Sequence, residues 1–371
     1  MNPRYKKIYC CTPVAFHAND GYFIRDTGLI SRTLQRMGVE SKCIMPLPYH
    51  DDDQREGIIR TEFANLSSAT WWQQLGIDAV VLYSWGAPRY RHIARAIRKA
   101  GLKLVIHMDC TSDFTGCFPD GTSRLTRFVC HLRTKLGDIF RSAHLRRADV
   151  ITMCPTAAAD ISKKLFYGPW FMEKLFPMPC PVSPECRYDG RKKQPIILCI
   201  GRWDDRFQKR PEVLMKTLEL FYESGGTAET RIYGTLTEEL RRWHQQLPTE
   251  VAEKIKLLGY LQNTLLREEY NNAQVILCPS RFEGSHNVSA EALCCGCSVV
   301  TANRPIALAD LHWYTTKNSG CIAEEDSPKA LALALLEELK LWASDRRSPQ
   351  AIAEAWHPHF HADKVFNKIC E

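Results

Sequence analysis

The amino-acid sequence predicts an α/β protein with two domains, each built on a mostly parallel sheet with helices on both faces. Three observations carry this prediction. The chain has 371 residues, more than one hydrophobic core usually organises. Short apolar strands alternate with amphipathic helices along most of its length. Residues 176–195, FPMPCPVSPECRYDGRKKQP, interrupt this alternation with prolines and a charged tail, which is typical of a linker.

The first half of the chain has the strand and helix patterns of one such domain. TGLISRTLQRMG is amphipathic and ends in a glycine, so it predicts a helix over 27–38. ADVITMC predicts a strand that closes the series. The other predicted strands are 7–16, 41–47 (SKCIMPL), 78–85 and 102–109, and a helix is predicted at 88–101.

A second series of strands and helices follows the proline-rich segment. It begins with PIILCIG and includes one long predicted helix, PKALALALLEELKLWA at 328–343. Ligands of open α/β sheets bind at the carboxyl ends of strands, so a cleft between two facing sheets is the expected site. The predicted strands are 195–201, 230–234, 254–260, 275–280 and 297–302.

Composition indicates a globular protein in the cytoplasm. Hydrophobic residues make up 45% and charged residues 25%, and no apolar run approaches the ~18 residues of a membrane span. The start, MNPRYKKIYCCTPVAF, lacks a long signal-peptide core. The 16 cysteines are scattered, so we expect small buried thiols in a reducing compartment. Cys294, Cys295 and Cys297 lack the paired spacing of a zinc site, and we expect no metal.

The segment CPSRFEGSHNVSAEALCCGCSVV, residues 278–300, contains two glutamates in different local settings. We expect Glu283 in a loop and Glu291 in a helix that Asn287 caps and Gly296 ends in the left-handed conformation. The free N–H groups at the start of a helix attract a phosphate. Carboxylates accept hydrogen bonds from sugar hydroxyls. This arrangement suits a phosphate flanked by two polyols, as in a sugar nucleotide.

The same segment resembles a known family signature. PSRFEGSHNVSAEALCCGCSVV matches every fixed position of P-S-x-x-E-G-x₆-E-A-x₃-G-x₂-V-V, the E-x₇-E signature of retaining glycosyltransferases with the GT-B fold, family-4 type (glycosyl transferases group 1). IGRWDDRFQKRPEVL, residues 200–214, is similar to that family's strand–Gly-Arg–loop–Lys segment. The resemblance implies two Rossmann-like domains facing across a cleft. Residues 1–187 would serve the acceptor and 188–355 the donor nucleotide, with a last helix at about 356–371 packing back on the first domain.

The resemblance also implies roles for residues of the second domain. Glu291 would hold the ribose hydroxyls of the donor, and Glu283 would contact the transferred sugar. Arg202 and Lys209 would neutralise the departing diphosphate. Arg210 stands where the family usually has glycine, so either Lys209 or Arg210 could grip the diphosphate. The remaining expected contacts to the nucleotide sugar come from Gly284, Asn287 and Val288.

In the first domain the resemblance is weaker and rests on single residues. His107 closes the strand LKLVIHMD and is expected near the sugar and the acceptor, with Asp109 two residues later. Gly21, in FHANDGYFIRDTG, is the nearest equivalent of the family's glycine-rich loop, although the usual Gly-Gly pair is missing. Simpler interpretations stay open: a satisfied histidine at a strand end, a solvated basic loop around Arg202, and acidic residues that only favour a helix dipole.

The function predicted on this basis is transfer of a sugar from a nucleoside diphosphate donor to an acceptor hydroxyl with retained configuration, in glycan or glycolipid biosynthesis. No permanently bound cofactor and no metal are expected. Two alternatives stay open, a sugar-nucleotide epimerase or hydrolase of the same fold and a non-catalytic binding protein. A nicotinamide dehydrogenase is disfavoured because no G-x-G-x-x-G follows the first strand. The nucleotide base, the sugar and the acceptor stay open.

The formal net charge is +7, and much of the surplus lies in two basic stretches of the first domain. These are PRYRHIARAIRKAGLK and SRLTRFVCHLRTKLGDIFRSAHLRR. Two interpretations stay open for them: ordinary solvated helix faces, or a basic amphipathic surface that lies on anionic lipid at the inner face of the membrane. The second would suit a lipid-linked acceptor as well as a carbohydrate one. No nucleic-acid-binding motif is present, so a nucleic-acid partner is not expected.

Overall fold

The computed structural model describes residues 5–108, 122–179, 181–305 and 307–370, and the chain folds into two compact units. The first unit combines Met1–Ser183 with Phe360–Glu371, and the second is Pro184–His359. Asp109, a candidate from the sequence, lies outside the described residues. The predicted roles of the two domains, acceptor side and donor side, stay predictions.

A seven-stranded parallel sheet forms the centre of the first unit, in the order β3-β2-β1-β4-β5-β6-β7. The first strand is shorter than the predicted 7–16 and ends two residues before Pro13, which has no N–H to donate to a ladder. The strands are β1 Ile8–Cys11, β2 Cys43–Pro46, β3 Ile58–Thr61, β4 Ala79–Tyr83, β5 Lys103–His107, β6 Val150–Met153 and β7 Leu175–Pro177.

Helices cover both faces of this sheet. Along β4 the side chains alternate, so that Val81 packs into one hydrophobic core and Leu82 into the other. Two cores on opposite faces are what a doubly wound sheet requires. The helices are α1 Gly21–Arg25, α2 Thr27–Arg36, α3 Ala69–Gln74, α4 Arg91–Lys99, α5 Arg124–Leu145, α6 Pro155–Ser162 and α7 Gly168–Lys174.

The second unit has a six-stranded parallel sheet in the order β10-β9-β8-β11-β12-β13. Its strands are β8 Gln194–Gly201, β9 Glu229–Gly234, β10 Ile255–Gly259, β11 Ala273–Cys278, β12 Ser298–Thr301 and β13 Gly320–Ile322. Its helices are α8 Arg206–Lys209, α9 Pro211–Glu223, α10 Glu238–Gln246, α11 Thr249–Ala252, α12 Asn263–Asn272, α13 Asn287–Cys294, α14 Ala309–Tyr314, α15 Pro328–Ala343 and α16 Pro349–Phe360.

The last helix, α17 Ala362–Cys370, belongs to the first unit. Ala362, Val365 and Phe366 are buried in the core beside α2, and Asp363 pairs with Arg36 of that helix at 2.8 Å. Among the described residues, no helix is both long enough and apolar enough to cross a membrane.

In each sheet the strand order reverses between two neighbouring strands, β1 and β4 in the first unit and β8 and β11 in the second. Loops that leave such neighbours diverge and open a crevice at their carboxyl ends. The predicted fold class, two α/β domains with parallel sheets, is confirmed. The crevice of the second unit is bordered by the segments that follow Gly201 and Cys278, which contain the predicted donor-site residues.

Candidate functional site

Four side chains from the two loops at this crevice form one hydrogen-bonded network. Lys209 Nζ lies 2.5 Å from Glu283 Oε1, and Gln208 Nε2 donates to Glu283 Oε2 at 3.0 Å. Arg202 donates from Nη2 to Gln208 Oε1 at 3.1 Å. The structure therefore brings three residues selected from the sequence to one place, and Gln208 is the link between Arg202 and Glu283.

Local chain geometry explains this convergence. Arg202 directly follows β8, and the one-turn helix α8 starts at the Asp205 carboxylate, which accepts from the Gln208 N–H at 3.0 Å. That cap orients Gln208 and Lys209 toward the loop after β11. The loop is fixed in turn by a hydrogen bond from the Glu283 N–H to the Ala307 carbonyl at 3.0 Å. Gln208 carried no sequence signal beyond its place beside Lys209.

The Glu283 carboxylate is buried yet held in its ionised form. Burial alone raises its pKa, but the Lys209 ammonium and the nearby His286 ring outweigh that effect and lower the pKa below its usual 4.5. The side chains of Lys209 and Glu283 are only 11% and 6% exposed, so the pair is poorly screened by solvent. Arg202, in contrast, is 59% exposed and presents its charge to the solution.

Backbone conformation separates Lys209 from Arg210. Arg210 adopts a left-handed conformation with φ of 55°, and its side chain pairs with Asp326 at 2.7 Å. Arg304 binds the same carboxylate. Of the two candidates that the sequence left open, Lys209 is therefore the one that contacts Glu283, while Arg210 joins a separate cluster.

Helix α13 follows the Glu283 loop and buries the second glutamate. Glu291 is 5% exposed and accepts a hydrogen bond from the Tyr270 hydroxyl at 2.9 Å. The two glutamates occupy a loop and a helix, as the sequence predicts. Val288 and Asn287 lie in the first turn of this helix, and Gly284 lies in the preceding loop. Tyr270 was not identified from the sequence, because its place on α12 gives no hint that it reaches α13.

The predicted N-cap of α13 is wrong by one residue, whereas the predicted left-handed glycine at its end is confirmed. His286 is the residue before the helix, and its ring bonds Ser289 Oγ at 2.7 Å, whereas Asn287 is already helical. At the other end, Gly296 has φ of 79°. The N–H groups of Gly296 and Cys297 bond the carbonyls of Leu293 and Ala292, the pattern of a Schellman motif.

Three groups with metal-binding chemistry lie near the same loop. Ligand atoms of Cys278, Glu283 and His286 all lie within 4.8 Å of one another. Burial raises the pKa of the Cys278 thiol to about 11, so the protonated form is favoured there. The Lys209 ammonium already neutralises Glu283. These two features make the trio a poor cation site.

The remaining predicted residues belong to the first unit. His107, the last residue of β5, is fully buried, stacks on Tyr83 and has Nδ1 2.8 Å from Thr152 Oγ1. Burial lowers its pKa to about 3, so the ring is neutral near pH 7. No donor or acceptor among the described residues reaches its Nε2. Gly21 begins α1, and a Cβ built there would meet no described atom within 4 Å.

Its strand order makes the second unit an α/β domain of the doubly wound type. Its sequence identifies the family more narrowly. Residues 194–340 match the profile of the family Glycosyl transferases group 1, which confirms the resemblance predicted from the sequence. This stretch of the second unit is therefore similar to a group 1 glycosyltransferase domain. A comparison with curated protein sequences found no match.

Solved structures extend the likeness over the whole chain. A glycosyltransferase from Rickettsia africae ESF-5 superposes with a TM-score of 0.69 at 15% identity and covers 98% of this chain and 97% of that one. TarM gives 0.69 at 8% identity over 100% and 99%. Anabaena HepE in complex with UDP gives 0.66 at 11% identity over 98% of each chain. At such identities the comparison shows a shared fold, the predicted GT-B fold.

Proposed function

We propose that the protein is a retaining glycosyltransferase that moves a hexose-type sugar from a nucleoside diphosphate donor to an acceptor hydroxyl. The observation that carries this proposal is the network of Arg202, Gln208, Lys209 and Glu283 at the switch point of a group 1 glycosyltransferase domain. The proposal assigns glycan or glycolipid synthesis in the cytoplasm as its setting. The support for this proposal comes from the charges and hydrogen bonds of these side chains.

Diphosphate binding is the first role of the network. Arg202 is exposed at the surface beside Asp205, where an incoming anion can reach it, and Lys209 supplies a second, nearly buried cation. A phosphate beside both cations would replace part of the ion pairing between Glu283 and Lys209. Since solvent screens buried charges weakly, the two cations act on the diphosphate more strongly than surface lysines would. In this way the donor is neutralised without a metal ion.

Leaving-group stabilisation is the second role. When the bond from the anomeric carbon to the donor oxygen breaks, its electron pair stays on the diphosphate, and negative charge grows on that oxygen. Preorganised donors are most effective where charge develops, and removing one typically costs about 10²–10³ in turnover. Arg202 and Lys209 are the residues assigned to this task, with Glu283 holding the transferred sugar through its hydroxyls.

Nucleotide recognition is assigned to α13 and the loop before it. Glu291 is buried and accepts a hydrogen bond from the Tyr270 hydroxyl, and its carboxylate is assigned to the ribose hydroxyls of the donor. The backbone of Gly284, Asn287 and Val288 would line the sugar and phosphate. Uridine is the first base to test, because HepE structures contain UDP, UDP and glucose, or UDP-glucose.

The acceptor side is assigned to the first unit, with His107 as its contact to the reacting sugar. A neutral imidazole whose Nε2 meets no partner among the described residues can bond a sugar hydroxyl without adding charge. Gly21, also in the first unit, is instead assigned to the donor phosphates, which the backbone can approach because a Cβ there would meet no described atom within 4 Å. A carbohydrate and a lipid-linked sugar are both compatible with the acceptor assignment of His107.

Donor binding is tested by thermal shift with UDP, GDP and ADP on the wild type and on Glu291→Ala and Lys209→Ala. A ligand at 100 times its Kd stabilises by about 2.7 kcal/mol. We expect one nucleotide to raise the wild-type Tm and both variants to lose that shift. Lys256→Ala, a change at an exposed lysine of β10 in the same unit, is the matched control and should keep it.

Turnover then separates transfer from its alternatives. With the nucleotide sugar identified, a transferase releases nucleoside diphosphate much faster when an acceptor is present, and the product keeps the donor's anomeric configuration by NMR. Release of free sugar or an isomerised sugar nucleotide without acceptor would point to a hydrolase or an epimerase instead. If no nucleotide shifts the wild-type Tm, the donor assignment of Glu291 and Lys209 is wrong.

A further inference from the structure

The longest helix of the first unit, α5, presents its large apolar side chains to the solution. Seven of them are 40–71% exposed, whereas an ordinary surface helix turns such residues inward. We call this set the outward stripe: Leu125, Phe128, Val129, Leu132, Leu136, Ile139 and Phe140. An apolar surface of this extent on a folded protein is typical of an interaction site.

Helix geometry shows that the stripe is one continuous face. At about 100° per residue, its seven members fall within an arc of roughly 120°, and they extend along the axis for about 22 Å. The residues that turn toward the unit lie on the opposite side of the helix. Most of these inward positions are small or polar, namely Cys130, Thr134, Asp138 and Ser142, and the apolar Leu145 is buried only at the end of the helix. The helix is thus inverted relative to the usual amphipathic arrangement.

Helix α4 provides a direct comparison within the same unit. It comes from the other basic stretch, and it buries Ile93, Ala94 and Ile97 while its arginines and lysines face the solvent. For α4 the ordinary solvated-face interpretation is sufficient. For α5 it fails, because its apolar face is not used to pack against the described part of the unit.

Polar contacts near the carboxyl end hold α5 in this orientation. The buried Asp138 carboxylate lies 3.1 Å from Arg141 Nη1 and 3.8 Å from Lys164 Nζ. Closer to the end of the helix, His144 Nε2 lies 3.2 Å from Ser84 Oγ, and both residues are buried. An ion pair of this kind fixes which face points inward. Within the described part of the unit, the outward stripe therefore remains exposed.

The charged residues beside the outward stripe indicate which kind of partner it binds. Arg124 and Lys135 border it on one side and Arg133 on the other, and Asp138, which is buried, is the only acidic residue in the helix. We propose that α5 docks the protein on an anionic lipid surface, with the outward stripe in the acyl boundary and the basic residues at the headgroups. A second copy fits less well, because stacking two such helices would place like charges together.

Vesicle binding tests this proposal without any assay of sugar transfer, so its outcome is independent of the proposed function. The full chain is co-sedimented with vesicles of phosphatidylcholine containing 30 mol% phosphatidylglycerol and with pure phosphatidylcholine. The double variant Leu125→Gln/Leu132→Gln removes two exposed members of the stripe. Its matched control is Leu265→Gln/Leu333→Gln, which changes two leucines of α12 and α15 that are 50% and 53% exposed.

We expect the wild type and the control to bind the anionic vesicles and the stripe variant to lose at least about tenfold in partition coefficient. Replacing the basic border, Arg124→Gln/Lys135→Gln, should weaken binding to anionic vesicles and remove its salt dependence, whereas Arg95→Gln/Lys99→Gln on α4 should have little effect. Circular dichroism and Tm confirm that all variants are folded, since every changed side chain is exposed.

Three results would overturn the proposal. The wild type could fail to bind anionic vesicles, or it could bind them equally well with and without the outward stripe. If the wild type bound neutral vesicles as well as anionic ones, a preference for anionic lipid would be excluded. A dimer seen by light scattering that the stripe variant abolishes, together with no vesicle binding, would identify a second copy as the occupant instead.

Discussion

At the scale of single residues, the pair of Lys209 and Glu283 is the feature that most distinguishes this site from an ordinary helix start. Two buried opposite charges are stable only together, because each would be costly alone. A donor diphosphate would compete for the same lysine. The pair thus positions Lys209 before a donor binds, and such preorganisation is what the proposed leaving-group stabilisation would need.

Glu283 predicts a pH dependence of stability with a defined sign. Its folded pKa lies below its usual 4.5, so the unfolded chain binds the proton more readily. The stabilising contribution is complete above about pH 4.5 and is lost as pH falls through the folded pKa. In urea unfolding followed from pH 6 to pH 3, we expect Glu283→Gln to lose less stability than the wild type on acidification.

Glu250→Gln serves as the matched control, since Glu250 is an exposed glutamate of the same unit. It should follow the wild-type pH profile. The assignment of Glu283 as a buried, ionised partner of Lys209 would be contradicted if Glu283→Gln and Glu250→Gln gave the same slope.

The residues of this network could be predicted from the sequence only in part. Glu283, Arg202 and Lys209 stand at fixed positions of a recognisable signature, so the sequence identified them. It could not show that Lys209 rather than Arg210 contacts Glu283, because that depends on a left-handed backbone at Arg210, whose side chain pairs with Asp326. Which of the two would grip a diphosphate stays a prediction.

At the scale of elements, helix α13 shows why one helix end could be predicted and the other could not. Gly296 ends the helix through its own backbone freedom, a property that is visible in the sequence. The helix start depends on which of two neighbouring polar residues leaves the helical conformation. His286 does so, and its ring bonds Ser289. Asn287 has the better intrinsic preference for a cap, but tertiary contacts override it.

Gly296→Ala should destabilise the protein by about 2 kcal/mol or more. A left-handed alanine costs roughly 1–2 kcal/mol, and a Cβ at this position would lie 2.6 Å from the Pro349 carbonyl oxygen. Gly225 is the matched control, because it ends α9 with φ of 87° and a Cβ there would meet nothing within 4 Å. Gly225→Ala should lose only the stability that the strained left-handed backbone costs.

Urea unfolding of both variants measures the difference between them. A larger loss for Gly296→Ala would show that the close approach of α16 to the end of α13 adds to the conformational cost. Equal losses would mean that the chain relaxes around the new methyl group and that the contact at Pro349 has no energetic weight.

Helices α4 and α5 illustrate another limit of sequence reasoning. Both stretches alternate basic and apolar residues, and the sequence left two interpretations open for each. Periodicity reveals that a helix has an apolar face, but it does not reveal which way that face points. The direction is set by contacts distant in sequence, such as Asp138 with Lys164, and only the folded chain shows them.

At the scale of the whole molecule, the alternation of strands and helices was enough to predict two parallel α/β domains. Parallel sheets buried on both faces leave near-continuous apolar runs such as AVVLY and PIILCIG, which are visible without an alignment. The exact strand order is less accessible, because it depends on pairing between distant segments. The switch points nevertheless follow from general rules once the order is known.

The division into two units predicts which segments a bound nucleotide should protect from hydrogen exchange. Every residue assigned to the diphosphate and the nucleoside, except Gly21, belongs to the second unit, and these residues lie in two short segments, 201–210 and 279–292. Hydrogen exchange in the presence of UDP, GDP or ADP should therefore slow in both segments together, because a diphosphate bound to Lys209 also orders the loop that contains Glu283. Lys209→Ala should abolish this protection, and Lys256→Ala should retain it. Protection confined to the first unit would contradict the donor assignment, since it would place the nucleotide on the side assigned to the acceptor.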